Sequence, residues 1–302
     1  MIIPKHLKSG DKVALIAPSS PITEPAQLEN AIAYVKSLGL EPILGKSCTS
    51  QYGHMAGSDE VRAGDINWAF ADDTIAGIFC LRGGNATSKT FHAVDFSIIT
   101  RNPKFFCGYS DITALHAAIN RLGIATFHMP MVCSVDMANK DEYTWGLLEK
   151  FVMNPLESGE ISLPQGHSTK TIQGGIAEGI MCGGNLSCMT ALMGTPYEIN
   201  TRGKIFFMEE VGTNPPRCDR MLNGLRLAGK FDECVGVVFG DFTNCNPIDP
   251  AFSLTIPEIL HNLNLKVPSV YDFPCGHILP TASMPFGVPL RLDADNCTLH
   301  IM

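Results

Sequence analysis

The sequence predicts a two-domain α/β protein, with a mostly parallel, helix-flanked sheet in the first half and a smaller α+β domain in the second. Three observations carry this. The chain has 302 residues, twice the roughly 150 of an ordinary domain. Its first half alternates strand-like and helix-like segments, as right-handed crossovers between parallel strands require. Around residues 154–175, Pro155, Gly159, Pro164, Gly166, Gly174 and Gly175 break any regular period. The N-terminal domain is therefore read as 1–150, the linker as 151–170 and the C-terminal domain as 171–302.

Residues 12–17 form a short apolar strand. Positions 24–38 have helical spacing, with Leu28, Ala31, Ile32, Val35 and Leu38 on one face, and Gly39 ends that helix. A second strand is expected at 41–44. Ser58 caps a helix over 58–71 that carries Val61, Ile66, Trp68 and Phe70. Residues 75–81 form a buried strand running into Arg82-Gly83-Gly84-Asn85. Further strands are expected at 104–108 and 124–127, with a helix at 111–122 between them. Beyond the linker, strands at 177–182, 204–209, 235–239 and 288–292 interleave with helices at 186–193 and 217–228. No repeat or heptad pattern occurs.

Composition removes several classes of function. A chain 45% hydrophobic and 17% charged buries a substantial core and is not disordered. Thirty acidic residues against 22 basic leave a formal charge of −8. With no lysine/arginine run, nucleic acid is not the expected ligand. The eleven cysteines are odd in number, no two stand three apart, and several lie in apolar runs such as Gly77-Ile78-Phe79-Cys80. They read as reduced core thiols in a reducing compartment, not as a disulfide framework or a zinc site. No apolar run approaches about eighteen residues. The stretch Val13-Ala14-Leu15-Ile16-Ala17 is too short for a secretion signal. A soluble cytoplasmic protein is expected.

The stretch Pro103-Lys104-Phe105-Phe106-Cys107-Gly108-Tyr109-Ser110-Asp111-Ile112-Thr113 is the most informative. A buried strand ends at a glycine and a serine follows at the turn before an amphipathic helix. That lifts a hydroxyl to the carboxyl edge of a sheet beside helix N–H groups able to hold an oxyanion. The pattern is not G-x-S-x-G, and Ser110 equally suits a helix cap. Both readings stand on the residues alone. A serine nucleophile needs a base, and there are nine histidines without an H-E-x-x-H pairing. His116 reads as packed or surface-facing. His128 and His277 sit at strand-to-loop junctions beside prolines, where a ring can reach into a cleft. Glu209 and Glu210 end the apolar strand Ile205-Phe206-Phe207-Met208, and either could orient the histidine. The loops Arg82-Gly83-Gly84-Asn85 and Cys182-Gly183-Gly184-Asn185 match neither nucleotide-binding glycine signature. The second reads as a structural turn. The first brings amides to Ser110 if their strands are neighbours.

Taken in order, Arg82-Gly83-Gly84, residues 108–116, Gly183-Gly184-Asn185-Leu186-Ser187, Phe207-Met208-Glu209-Glu210-Val211, Arg217-Cys218-Asp219-Arg220-Met221-Leu222 and Gly276-His277 resemble the LD-carboxypeptidase family. These serine peptidases include the muramoyltetrapeptide carboxypeptidases and the microcin C immunity hydrolases. The resemblance runs from Asp11 to about Leu292. It implies a Rossmann-like N-terminal sheet and a triad of Ser110 as nucleophile, Glu209 as charge-relay acid and His277 as base. It also implies an oxyanion hole from the N–H of Asp111 with an amide of Gly83 or Gly84. The sequence departs from the family at Asn85-Ala86, at His128-Met129-Pro130-Met131 and at the Glu209-Glu210 pair. The first two departures are expected to line the substrate cleft.

The implied function is release of the terminal D-alanine from the tetrapeptide stem of peptidoglycan, a small peptide substrate, without metal or cofactor. Arg82, Asn85 and His128 are the expected substrate contacts. A homodimer is implied, with no nucleic-acid or membrane partner. The rival enzyme reading is an immunity-type hydrolase of an aminoacyl–nucleotide conjugate. The rival of another class is a non-catalytic binder of cell-wall fragments.

Overall fold

The computed structural model of the chain describes residues 1–247, 249 and 251–302. The chain forms two compact units, Met1–Leu156 with Ser283–Pro285, and Glu157–Ala282 with Phe286–Met302.

The first unit runs β1 (Lys12–Ile16), α1 (Pro25–Ser37), β2 (Glu41–Leu44), α2 (Asp59–Ala71), β3 (Ile75–Cys80), α3 (Phe96–Arg101), β4 (Phe105–Gly108), α4 (Thr113–Arg121), β5 (Thr126–His128) and α5 (Glu142–Met153). Helix starts are set locally. Asp95 accepts from Ser97 N–H and Asp141 from Thr144 N–H, both at 2.9 Å, ahead of α3 and α5. The strands lie parallel in the order β2-β1-β3-β4-β5, with the downstream segment Met284–Phe286 beside β5. Strands covered on both faces read as continuous apolar runs, as β1, β3 and β4 do. Phe105 stacks on Phe127 with ring centroids 4.5 Å apart, and Phe106 on Phe70 at 6.1 Å. Burial of each such ring contributes about 1.5–3 kcal/mol. Strand order reverses between β1 and β3, the switch point of the sheet, and the segments that follow these two strands stay in contact there, Ser20 N–H donating to Gly83 O at 3.1 Å.

The second unit contains β6 (Gly159–Glu160), β7 (Lys170–Gln173), β8 (Ile176–Asn185), α6 (Leu186–Ala191), β9 (Lys204–Val211), α7 (Pro215–Leu227), α8 (Lys230–Glu233), β10 (Gly236–Thr243), α9 (Ile256–Asn262) and β11 (Ser269–Tyr271). After β12 (Met284–Phe286), most of which belongs to the first unit, come β13 (Pro289–Asp293) and β14 (Thr298–Ile301). The sheet order is β6-β14-β13-β8-β9-β10-β11-β7. Its four central strands, β8 to β11, are parallel, and its margins are antiparallel. Ile205, Phe206, Phe207 and Met208 of β9 are fully buried at its centre.

Three features differ from the sequence reading. The β8 strand is ten residues long, not six, and continues through Gly183-Gly184 to Asn185. At Gly183 (φ +142°) a Cβ would fall on the Phe207 carbonyl, so a glycine pair that reads as a turn is a close approach of two strands. The 151–170 stretch, expected to be a linker, is instead partly built into regular structure. The α5 helix runs to Met153, and β6 already pairs with β14. A two-residue exposed strand has no apolar signature. Finally, Ser283–Pro285 belong to the first unit although they lie deep in the span expected to form the C-terminal domain. Among the described residues, no helix is long and apolar enough to cross a membrane.

Candidate active site

In the first unit the serine turn has the geometry of a strained elbow. Ser110 has φ +62°, a left-handed conformation that costs a non-glycine residue about 1–3 kcal/mol and persists only where its surroundings enforce it. Gly108, at φ +154°, permits the turn. A Cβ there would sit 2.9 Å from Cys80 Cβ and 3.1 Å from Ile112 Cγ1 and Cγ2. The His116 imidazole, fully buried on α4, donates from Nε2 to the Gly108 carbonyl at 2.8 Å while Nδ1 accepts from Thr126 Oγ1 at 2.8 Å. Burial pulls its pKa down to about 4, so it stays neutral and holds the elbow as a fixed donor. Ser110 caps no helix. The N-cap position of α4 falls on Ile112, without a side-chain cap bond.

Asp111 binds the neighbouring loops through its side chain. One carboxylate oxygen accepts from Ser19 Oγ at 2.5 Å and from the N–H groups of Ala86 and Thr87 at 2.8 Å each. This links the elbow to the segments that follow β1 and β3. The Gly83-Gly84 loop is thereby drawn against the serine. A Cβ on Gly83 would lie 2.9 Å from both Ser110 Cβ and Oγ, and 3.3 Å from Asp111 N. Gly84, at φ +148°, passes so near Ser19 and Ser20 that a Cβ would meet both hydroxyls.

The other first-unit candidates differ in setting. Arg82 is half-buried, with Nη1 3.3 Å from Gln27 Oε1 and 3.4 Å from Thr23 Oγ1. Asn85 is exposed. His128, read as a ring reaching out from a loop, is 1% exposed and lies beside Gly108 in the β4–β5 register. Its ring meets Tyr109 edge-on at 6.0 Å. It ends a strand buried on both faces and therefore stands in the wall behind the elbow, not on an open rim.

In the second unit, Glu209 and Glu210 are consecutive on β9 and so point to opposite faces. Glu209, fully buried, accepts at Oε2 from His277 Nδ1 at 2.7 Å. Asn185, its register partner on β8, stands beside the same carboxylate and helps to hold its pKa down. Glu210 is a brace. Its oxygens accept from Ser187 N–H and Oγ at 2.8 and 2.6 Å, from Val211 N–H at 2.9 Å and from Thr213 Oγ1 at 3.3 Å. Gly276, at φ +148°, lets the chain cross over Glu209. A Cβ there would lie 3.2 Å from Glu209 Oε2.

Electrostatics follow from this burial. Desolvation raises the Glu209 carboxyl, and the His277 hydrogen bond and charge pull it back. Burial also pulls the His277 imidazole down. The Glu209 hydrogen bond and the charges of Glu209, Glu210 and Asp241 outweigh that and set it above its ordinary value. With Nδ1–H committed to a carboxylate, the neutral ring carries its lone pair on Nε2, the tautomer of a general base. Among the described residues, no group of three or more His, Cys, Asp or Glu is placed to hold a metal ion.

The comparisons with known proteins agree over nearly the whole chain. Residues 13–129 match the LD-carboxypeptidase N-terminal domain and residues 178–292 the LD-carboxypeptidase C-terminal domain. A "Probable murein peptide carboxypeptidase" of Bacillus subtilis (strain 168) is 38% identical, over 99% of this chain and 93% of its own. The crystal structure of muramoyltetrapeptide carboxypeptidase from Oxalobacter formigenes superposes with a TM-score of 0.83 at 25% identity, covering 96% of this chain and 97% of that one. The microcin C7 self-immunity protein MccF superposes with a TM-score of 0.91 at 23% identity, covering 100% and 98%, and shares the fold.

Proposed function

Since the chain belongs to the LD-carboxypeptidase family and is a serine-type carboxypeptidase, we propose that it removes the terminal D-alanine from the tetrapeptide stem of murein fragments through Ser110, His277 and Glu209. The observation that carries the reading is the pair of a fully buried carboxylate and an imidazole 2.7 Å apart. Burying a carboxylate costs several kcal/mol, which a mere binder of wall fragments has no reason to bear. The names of the Bacillus relative and the Oxalobacter structure support the substrate class.

In this mechanism His277 Nε2 takes the Ser110 proton as Oγ attacks the carbonyl of the third stem residue. The N–H of Asp111 and an amide of Gly83 or Gly84 meet the developing oxyanion. The imidazolium then protonates the departing D-alanine nitrogen, and water resolves the acyl-enzyme by the same path. No metal or cofactor takes part. The reading also has the enzyme act in the cytoplasm as a homodimer on a small peptide, without nucleic acid or membrane. Mass in solution against the 32.7 kDa chain tests the dimer.

The Gly83 contact makes a sharp steric test. Gly83 does not need a positive φ, so alanine fits its backbone. Its new methyl would nevertheless stand 2.9 Å from Ser110 Oγ, where the reacting oxygen must come. Gly83→Ala is expected to lower kcat by about 10²–10³-fold and to cost some thermal stability, because the methyl also crowds Ser110 Cβ at 2.9 Å. Wild-type kcat in that variant would remove the loop from the site.

A carboxypeptidase must also recognise the free carboxylate beside the scissile bond. Arg82 leaves the carboxyl end of β3 just before Gly83, and its contacts at 3.3 and 3.4 Å are long enough to yield to a ligand. Its role is proposed as the carboxylate clamp, with the exposed Asn85 as a further substrate contact. The test is D-alanine release from the tetrapeptide and from its C-terminal amide. Wild type should cleave the acid, and Arg82→Lys should lose about 10–10²-fold in kcat/KM on the acid and little on the amide, because only the acid uses the fork. Equal losses on both would leave Arg82 as scaffold. Failure of wild type to release D-alanine, with cleavage of an aminoacyl–nucleotide conjugate, would give the site to the rival hydrolase reading.

A further inference from the structure

Arg62, on α2, is the largest fully buried side chain described in the protein, and the Ser110 chemistry proposed above gives it no part. Burying a guanidinium costs several kcal/mol unless it is paired and hydrogen-bonded, and a well-packed apolar side chain of similar volume serves a core as well or better. A charge retained there therefore points to what its fork holds. Asp59, one turn earlier and partly exposed, is its counter-ion. The other donors of the fork go mostly to backbone carbonyls: Nη1 donates to Pro18 O at 2.8 Å and to Ala86 O at 2.7 Å, Nε donates to Gly57 O at 3.3 Å, and Nη2 also reaches Met55 Sδ at 3.4 Å.

Pro18 follows β1 and Ala86 follows β3, the two strands that flank the reversal of strand order. A single nitrogen thus ties together the segments that follow the two strands, which also meet through Ser20 N–H and Gly83 O at 3.1 Å. Asp111 holds the same place from the opposite side, through Ser19 Oγ and the Ala86 and Thr87 N–H groups. The Ala86 residue is gripped at both of its peptide groups, N–H by the aspartate and C=O by the arginine. Two residues upstream lies the Gly83-Gly84 loop, with less than a methyl group's clearance over Ser110. At that clearance, a shift of a few tenths of an ångström either blocks the serine or withdraws the amide from the oxyanion.

We infer that Arg62 is a positioning residue, which fixes the oxyanion-binding loop against Ser110 by holding the Pro18 and Ala86 carbonyls on one guanidinium nitrogen. The inference rests on the serine mechanism proposed above. Lysine keeps the charge but cannot span both carbonyls and the counter-ion with fork geometry.

The experiment measures kcat, KM, affinity for a peptide boronic acid that forms a tetrahedral adduct on a serine, and thermal stability, all on the full chain. For Arg62→Lys, kcat per folded molecule, read well below the melting temperature, should fall about 10²-fold with KM within about twofold. Boronate affinity should fall in parallel, while affinity for uncleaved tetrapeptide, measured in a Ser110→Ala background, should not. Asp59→Asn, which touches neither loop carbonyl, should lower the melting temperature and leave kcat and boronate affinity at wild-type levels. Should the lysine variant not fold, Arg62→Met, which removes the buried charge together with its need for a partner, is read the same way. Wild-type kcat and boronate affinity in the Arg62 variants, with only stability lost, would make the residue scaffold and overturn the inference alone. A wild-type enzyme indifferent to the boronate, with Ser110→Ala still active, would overturn the serine mechanism and the inference with it.

Discussion

Ser110→Ala is expected to abolish turnover, on the order of 10⁵-fold or more in kcat, while the protein stays folded. The hydroxyl is the group proposed to attack the carbonyl, and among the described residues no helix relies on it for a cap. Alanine has the same Cβ as serine and meets the same left-handed backbone at φ +62°, so the elbow's strain is unchanged. Ser110→Gly separates the two properties further. Removing the Cβ penalty of about 1–2 kcal/mol should raise the melting temperature while activity is lost just as fully. D-alanine release and thermal denaturation on the same two proteins are the measurements. Full activity in the alanine variant would end the serine reading, and destabilisation by glycine would mean the elbow is not strained as its dihedral indicates.

The second large effect concerns the imidazole. His277→Ala should lose on the order of 10³-fold or more in kcat, whereas His128→Ala, which empties a buried position behind the elbow, should mainly lower thermal stability. Glu209→Gln should lose about 10⁴-fold, since the amide no longer holds the imidazole in its productive tautomer or stabilises the imidazolium. The pH profile carries the finer signature. His277 is held above its ordinary 6.5 chiefly by Glu209, against the opposing pull of burial. A base acts only when neutral, so kcat/KM should rise with pH through an acid limb centred above 6.5. In Glu209→Gln that limb should move to lower pH. Stability runs the other way. The protonated pair contributes fully below about 6.5, and that contribution fades as pH rises through the elevated value in the folded state. A wild-type limb below 6.5, or one that Glu209→Gln leaves in place, would contradict this assignment.

What the sequence made legible was whatever is local. The run from Phe105 to Thr113 announces strand, glycine, turn and helix within nine residues, and the structure has β4, Gly108, Ser110 and α4 in that order. Glu209 and Glu210 stood out as acids ending an apolar strand. Which of them faces the histidine depends on strand register, and only the family resemblance put Glu209 first. The chemistry of Asp111 was legible only for its N–H. Its carboxylate works on Ser19, Ala86 and Thr87, partners 92, 25 and 24 residues away. Nothing local to Ser-Asp-Ile-Thr announces such partners. Arg62 was invisible for the same reason, an arginine on an amphipathic helix being read by default as surface. His128 was misplaced because a three-residue strand followed by a proline looks like the start of a loop, whereas β5 is flanked on both sides and buried.

The first sheet borrows its outermost strand from residues near the other end of the chain. During synthesis, β5 emerges early with one edge unpaired, and its neighbour Met284–Phe286 follows more than 150 residues later. An open edge of this kind is a template for pairing with other chains, and contacts of such sequence separation form slowly. The serine turn, one strand in from that edge, therefore sits in a sheet that a nascent chain cannot close until nearly all of it has left the ribosome. The borrowed strand thus delays completion of the sheet that carries Ser110 until Glu209 and His277 have already been made.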